Sequence, residues 1–189
     1  MSSTGNEKPE DMIVKRCNRE LVAKGAILSY YHDTVKIPNG KLETFDFIMH
    51  QGAAAVVPVT ERGTLLMVRQ YRNALDRFAL EIPAGGLESP QEPTIDAAAR
   101  ELEEETGYAS EDLNFLISIY PTIAYSNEKI DVYVARNLKK TSQHLDEDEY
   151  LGVEEWKIED LLELIYQGKI QDGKTVAAVL AYHNKYNNK

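Results

Sequence analysis

Three glutamates, Glu101, Glu104 and Glu105, stand at i, i+3 and i+4 in the run Arg100-Glu101-Leu102-Glu103-Glu104-Glu105-Thr106-Gly107. On a helix these positions share one face. Like charges at that spacing destabilise an isolated helix by roughly 0.2–0.5 kcal/mol per pair, and a bound divalent cation would reverse that cost. Ligands that are all oxygen select hard ions such as Mg²⁺ or Mn²⁺. In a chain of net charge −10, an acidic run by itself reads as a solvated helix face. The setting argues otherwise. Gly86, Glu92, the Arg100-Glu101 pair and Gly107 flank the carboxylates at fixed spacings, and Arg100 is placed to neutralise part of the cluster or to pair with Glu92.

The segment that carries them has the makings of a helix. Pro93 suits a first turn, where its missing N–H is not needed, and Thr94 and Ser89 are the candidate caps. Ile95-Asp96-Ala97-Ala98-Ala99 is a helix-forming run. Leu102 with Ile95, Ala98 and Ala99 gives an apolar stripe, expected opposite the acidic face. Gly107 fits the left-handed position that ends many helices.

Residues 86–108 meet every specified position of the Nudix box, Gly-x5-Glu-x7-Arg-Glu-U-x-Glu-Glu-x-Gly-U with U apolar, and the chain resembles that superfamily. The resemblance implies an α/β/α sandwich of mixed sheets. It also implies a Mg²⁺-dependent pyrophosphohydrolase acting on a nucleoside diphosphate linked to another moiety. The flanks resemble the ADP-ribose pyrophosphatase subfamily: Arg69-Gln70-Tyr71-Arg72, Glu81-Ile82-Pro83-Ala84-Gly85, Tyr120-Pro121, Ser126-Asn127-Glu128, the acidic run Asp146-Glu147-Asp148-Glu149, and Trp156. With them the resemblance covers most of residues 25–185. The implied reaction is hydrolysis of ADP-ribose to AMP and ribose 5-phosphate. Two alternatives remain: another nucleoside diphosphate sugar or dinucleotide as substrate, or a non-catalytic nucleotide-sensing module. The intact Arg100, Glu101, Glu104 and Glu105 count against the last.

Splitting a pyrophosphate needs charge neutralisation at phosphorus, a positioned water and a base. The resemblance adds the backbone carbonyl of Ala84 to the metal ligands Glu101, Glu104 and Glu105, at a turn whose glycines allow close backbone approach. Arg72 is the diphosphate clamp, because a guanidinium binds phosphate through a planar fork. Arg69 is a second candidate, or else a solvated strand arginine. In the resembling family a glutamate on a mobile loop after the box deprotonates the water. Glu147 and Glu149 are the candidates here, Glu147 preferred, with Glu104 competing. Where many relatives carry Arg-Glu, this chain has Phe45-Asp46. Phe45 is suited to stacking on adenine, or alternatively to core packing, and Asp46 to accepting from the exocyclic amine. Ile27 is the candidate second wall, and Glu128 the contact for the ribose or adenine end. In the family this region comes from the partner subunit, so a homodimer is implied.

The elements around the box follow from pattern. Residues 1–50 read as a β-hairpin extension, the first ten or so polar and expected to be disordered. Residues 51–189 read as the hydrolase domain. Ala26–Tyr31 and Thr34–Ile37 are separate strand-like runs, and the latter forms a hairpin with Leu42–Ile48 across Pro38-Asn39-Gly40. Ala53–Val59 and Leu65–Gln70 read as another hairpin, and Leu113–Ile119, Ile130–Ala135 and the run from Tyr150 as strands. Helices are expected at 160–166 and 174–186, the latter with Val176, Val179, Leu180 and His183 on one face.

Composition sets the outer limits. The 189 residues are 43% apolar, enough for one domain with a core. The acidic balance argues against nucleic-acid or anionic-membrane binding and leaves local arginines and metal to attract a polyanionic substrate. Cys17 is the single cysteine, which suggests a reducing compartment. No apolar run approaches the ~18 residues that span a bilayer, and residues 1–11 lack a signal core, so a cytoplasmic protein is expected. His32, His50, His144 and His183 show no metal-ligand spacing.

Overall fold

A computed structural model describes residues 8–145 and 150–186. The chain forms two compact units, one of residues 1–50 with 122–128, the other of 51–121 with 129–189. Most of the N-terminal stretch expected to be disordered, residues 1–7, lies outside the described residues.

The smaller unit is a three-stranded antiparallel meander of β1 (Lys15–Lys24), β2 (Ser29–Lys36) and β3 (Leu42–Met49). The Gly40 turn joins β2 to β3 with φ 86°, a backbone state that glycine enters freely. The two runs expected at 26–31 and 34–37 are one strand. The polar His32-Asp33 pair does not interrupt it, because the Asp33 carboxylate accepts two hydrogen bonds from Arg19 on β1, both at 2.6 Å. The Arg19 guanidinium also lies 3.5 Å from the centre of the Phe47 ring. Asn127 ties the 122–128 segment to β3's end, accepting from the His50 N–H at 2.9 Å and donating to its carbonyl at 3.1 Å.

The larger unit contains β4 (Ala53–Pro58), β5 (Leu65–Arg72), β6 (Arg77–Glu81), β7 (Ala84–Gly86), α1 (Thr94–Thr106), β8 (Tyr108–Ala109), β9 (Asp112–Ile119), β10 (Ile130–Arg136), β11 (Lys139–Lys140), β12 (Leu151–Trp156), α2 (Ile158–Tyr166) and α3 (Gly173–Tyr186). One mixed sheet has the order β7-β4-β10-β9, with β4 and β10 parallel; a second is β12-β5-β6; β8 and β11 form a short pair. Every residue of β4 is buried, and the two faces of the strand serve different helices. Ala53, Ala55 and Val57 join Val132, Val134, Leu161, Ala178 and Val179 in the main core. Ala54 meets Ala97 and Ala98 of α1, and Val56 meets Leu102. The result is an α/β/α arrangement with one mixed sheet and one antiparallel sheet. Alanines on both sides of the α1 contact let that helix lie close to the sheet.

Four expectations need correction. The Ala53–Val59 and Leu65–Gln70 runs do not form a hairpin: they enter different sheets and share only the Val59–Leu65 bridge. Pro58, at the end of β4, has no N–H to continue a ladder. On α1, Ile95 is exposed, and the buried face is Ala97, Ala98, Glu101, Leu102, Glu105 and Thr106, so two carboxylates lie beside the apolar stripe rather than opposite it. Neither proposed cap acts as one. Pro93 occupies the N-cap position, and the Thr94 hydroxyl is engaged with Asp131 and Tyr133 of β10 instead. On α3 the buried face is Thr175, Ala178, Val179 and Tyr182, shifted from the expected one because the Thr175 hydroxyl finds a buried partner, accepting the Ile82 N–H at 3.0 Å. Among the described residues no helix is long and apolar enough to cross a membrane.

Candidate active site

The site is built where α1 meets β7. β7 pairs antiparallel with β4, Ala84 opposite Ala55 and Gly85 opposite Ala54, which fixes the Ala84–Gly85 backbone under the helix. Glu101 and Glu105 are buried, with 7% and 3% of their surface exposed. The Glu105 carboxylate accepts the Ala84 N–H at 3.0 Å. Glu101 lies so close over Gly85 that a methyl group there would collide with its carboxylate. Buried carboxylates are costly unless paired or metal-bound, and these two gather on the same stretch of backbone. Glu104, one turn from Glu101, is half-exposed and accepts from Arg100 at 2.9 Å. Among the described residues no group of three His, Cys, Asp or Glu side chains is arranged to hold a metal. The donors at hand are two carboxylates, all oxygen, a set that fits a hard divalent cation and not a soft one.

Arg100 organises the approach to this pair. It donates to Glu101 at 2.7 Å, to Glu104, to Glu92 at 3.4 Å and to the Gly86 carbonyl at 3.0 Å. Both expected roles, neutralising the cluster and pairing with Glu92, are therefore filled by one guanidinium. Burial lowers its pKa, but the Glu101 charge and the hydrogen bonds outweigh that and raise it, so it stays charged. Gly107 ends α1 in the left-handed conformation at φ 69°, as its position suggested, its N–H donating to the Glu103 carbonyl at 2.8 Å.

Arg72 stands near enough to Glu105 to feel its charge. Its Nε and Nη2 both donate to the buried Glu81 at 2.7 Å, leaving the other edge of the guanidinium for an anion. Lys174 of α3 donates to the same Glu81 Oε2 that accepts from Arg72 Nη2, and also to Asp172 at 3.1 Å. Burial pushes the Glu81 carboxyl up, but the Arg72 hydrogen bonds and the Lys174 charge pull it down to about 2. Arg69 is not a solvated strand arginine: it is paired with Glu154 of β12, which also accepts the Trp156 indole N–H at 2.9 Å.

In the smaller unit, Phe45 and Ile27 are 48% and 80% exposed, so neither packs in a core of this chain. Asp46 accepts from the Tyr30 hydroxyl at 2.7 Å. The Glu128 N–H is tied to the Ser126 hydroxyl at 3.1 Å. Glu147 and Glu149 lie outside the described residues. The chain on either side of them is anchored to the site's elements. His144 donates its N–H to the Glu104 carbonyl at 3.0 Å, Gln143 donates its side-chain amide to the Glu105 carbonyl at 2.6 Å, and Leu151 pairs with Gln70 of β5.

Sequence reasoning did not single out Glu81, Lys174 or Glu154 as site residues. Glu81 had a signal, its place before Pro83-Ala84-Gly85. The other two had none, since Lys174 lies 93 positions from Glu81 and Glu154 85 positions from Arg69.

A family model described as the NUDIX domain matches residues 49–179. The chain is 38% identical over 167 residues to a Bacillus subtilis protein named ADP-ribose pyrophosphatase, covering 87% of this chain and 90% of that one. A Bacillus methanolicus protein named methanol dehydrogenase activator is similar to the same extent, 38% over 167 residues with 87% and 90% covered. A crystal structure of an ADP compounds hydrolase superposes with a TM-score of 0.81, covering 92% of this chain and 94% of that one at 23% identity, which speaks to the fold alone.

Proposed function

The chain belongs to the Nudix family as a pyrophosphohydrolase, and on that premise we propose that it hydrolyses ADP-ribose to AMP and ribose 5-phosphate with Mg²⁺ as its metal. The observation that carries the reading is the convergence of Glu101 and Glu105 on the Ala84–Gly85 backbone, with Arg72 held close by. Nudix hydrolases generally use divalent cations. Glu101, Glu105, the Ala84 carbonyl and Glu104 are the residues assigned to hold one, with Mn²⁺ as a substitute. When bound, the metal supplies positive charge to the diphosphate and acidifies a water.

The chain's own residues do the rest. Arg72, oriented by Glu81, grips the diphosphate with its unpaired edge. Arg69, tied to Glu154, stiffens β5 beside it. Glu147 accepts the proton of the attacking water, with Glu149 and Glu104 as the competing assignments. Phe45 stacks on the adenine with Ile27 as the second wall, Asp46 accepts from its exocyclic amine, and Glu128 binds at the ribose end. A homodimer in the cytoplasm belongs to this reading, with no nucleic acid or membrane partner. A second reading, another nucleoside diphosphate sugar or a dinucleotide as substrate, draws on Phe45-Asp46, which stand where many members of the resembling family carry Arg-Glu.

A hydrolysis panel of ADP-ribose, other ADP- and GDP-sugars and oxidised nucleotides, each with Mg²⁺ or Mn²⁺, tests the proposal. ADP-ribose is expected to show the highest kcat/KM, and a tenfold preference for another substrate would move the assignment to the second reading.

A further inference from the structure

Alongside the Arg72–Glu81 pair the larger unit has a half-open cavity of about 280 Å³. Four cations line it, Arg72, Arg77, Lys169 and Lys174, against two carboxylates, Glu81 and Asp172. The carboxylates are already committed. Glu81 receives Arg72 and Lys174, and Asp172 receives Lys174 together with the Thr175 N–H at 3.0 Å and the Thr175 hydroxyl at 2.6 Å. Arg77 donates to the neutral side chain of Gln171, and among the described residues neither it nor Lys169 has an ion-pair partner. Four cations less two carboxylates leave the walls with a net charge of +2, in a chain whose total is −10. Concave walls of one sign concentrate an oppositely charged ligand.

The volume narrows the ligand. It is just below the ~300–1,000 Å³ of sites for drug-sized molecules, which suits a phosphate with at most a small sugar and excludes a dinucleotide. Phe78, 62% exposed and edge-to-face with Tyr71, is among the lining residues and offers an aromatic ring for a sugar.

We propose that this cavity holds a second anion subsite, adjoining the hydrolytic one at Arg72, that takes a phosphate monoester dianion or free orthophosphate through Arg77 and Lys169. The claim goes beyond ADP-ribose hydrolysis and does not need it. Only the identification of the ester with the reaction's own product, ribose 5-phosphate, rests on that reading.

The test is titration calorimetry on the full, metal-free chain with orthophosphate and with ribose 5-phosphate. It compares the unaltered protein, the double variant Arg77→Gln/Lys169→Gln, and Phe78→Ala. Both exchanged cations are exposed and outside the hydrolytic machinery, so kcat, KM and Tm are expected to stay put. The double variant is expected to bind either anion at least about tenfold more weakly, the scale of losing charge-assisted hydrogen bonds. A preference for ribose 5-phosphate that Phe78→Ala abolishes supports a sugar phosphate as the occupant, and equal affinities support orthophosphate. Undiminished affinity in the double variant, or no binding of either anion at millimolar concentration, overturns the proposal. Binding that depends on Arg77 and Lys169 in a protein that leaves ADP-ribose intact would sink the substrate assignment and spare this site.

Discussion

Gly85 and Glu101 give the sharpest residue-scale handle on the proposed metal site. The three atoms that a methyl group at position 85 meets first are all at the far end of the flexible Glu101 side chain, so the fold can absorb Gly85→Ala while the carboxylate must swing away. The expected outcome is a thermal midpoint within a few degrees of the unaltered protein and a kcat lower by at least ~10²-fold, the scale of losing one preorganised electrostatic group. Full turnover at saturating Mg²⁺ would remove Glu101 from the ligand set. The base is tested by Glu147→Gln, Glu149→Gln and Glu104→Gln side by side at fixed Mg²⁺. Glu147→Gln should lower kcat ~10²–10⁴-fold with KM nearly unchanged, because a base acts only in the transition state. If Glu149→Gln alone loses kcat, the assignment is displaced by two residues. If both loop variants stay active and Glu104→Gln fails with metal affinity intact, the base lies on α1. The carboxylate face was legible in the sequence because it is local: i, i+3 and i+4 spacing fixes a shared side whatever the tertiary structure. The Glu81–Lys174 and Arg69–Glu154 pairs were not, because each joins strands and helices far apart in the chain and an isolated lysine or glutamate carries no sign of its partner.

At the scale of elements, the joint between β5, β6 and α3 turns on one buried carboxylate. Glu81 is 2% exposed. Burial would raise its pKa, but Arg72 and Lys174 hold it at about 2 against an ordinary 4.5. The folded state therefore releases this proton more readily than the unfolded chain. The stabilisation is whole above pH 4.5 and drains away as pH falls toward 2. It amounts to about 3 kcal/mol. Urea unfolding as a function of pH should show a steep loss across that window, and Glu81→Gln should be weaker at neutral pH with a shallower acid slope. An acid slope unchanged by the substitution would contradict the role given to this carboxylate. The same joint shows why element faces were harder to read than element positions. Strands β9 and β10 and helices α2 and α3 fall close to where pattern placed them. The buried side of α3 was misplaced because Thr175, a polar residue, is fully buried by its bonds to Ile82 and Asp172. The buried side of α1 was misplaced because small alanines, not Ile95, make the contact with β4.

For the whole molecule, the smaller unit exposes Leu21, Val22, Ile27, Leu28, Leu42 and Phe45, apolar area of the kind that marks an interaction surface. Light scattering at micromolar concentration should give a dimer, and an obligate one should bury more than roughly 2,000 Å² in total. A monomer that still hydrolyses ADP-ribose efficiently would contradict the role assigned to Phe45 and Ile27 within a homodimer. On the proposed reading, ten net negative charges oppose the diphosphate assigned to Arg72, which enlarges the part a bound divalent cation would play. The most direct measurement is product analysis of ADP-ribose incubated with the purified chain, with Mg²⁺ and again with Mg²⁺ removed by a chelator. The account predicts AMP and ribose 5-phosphate in equal amounts with Mg²⁺, and turnover abolished by the chelator and restored by adding the metal back. ADP-ribose left intact by the folded, Mg²⁺-supplied protein, or cleaved equally well in the chelator, would contradict it.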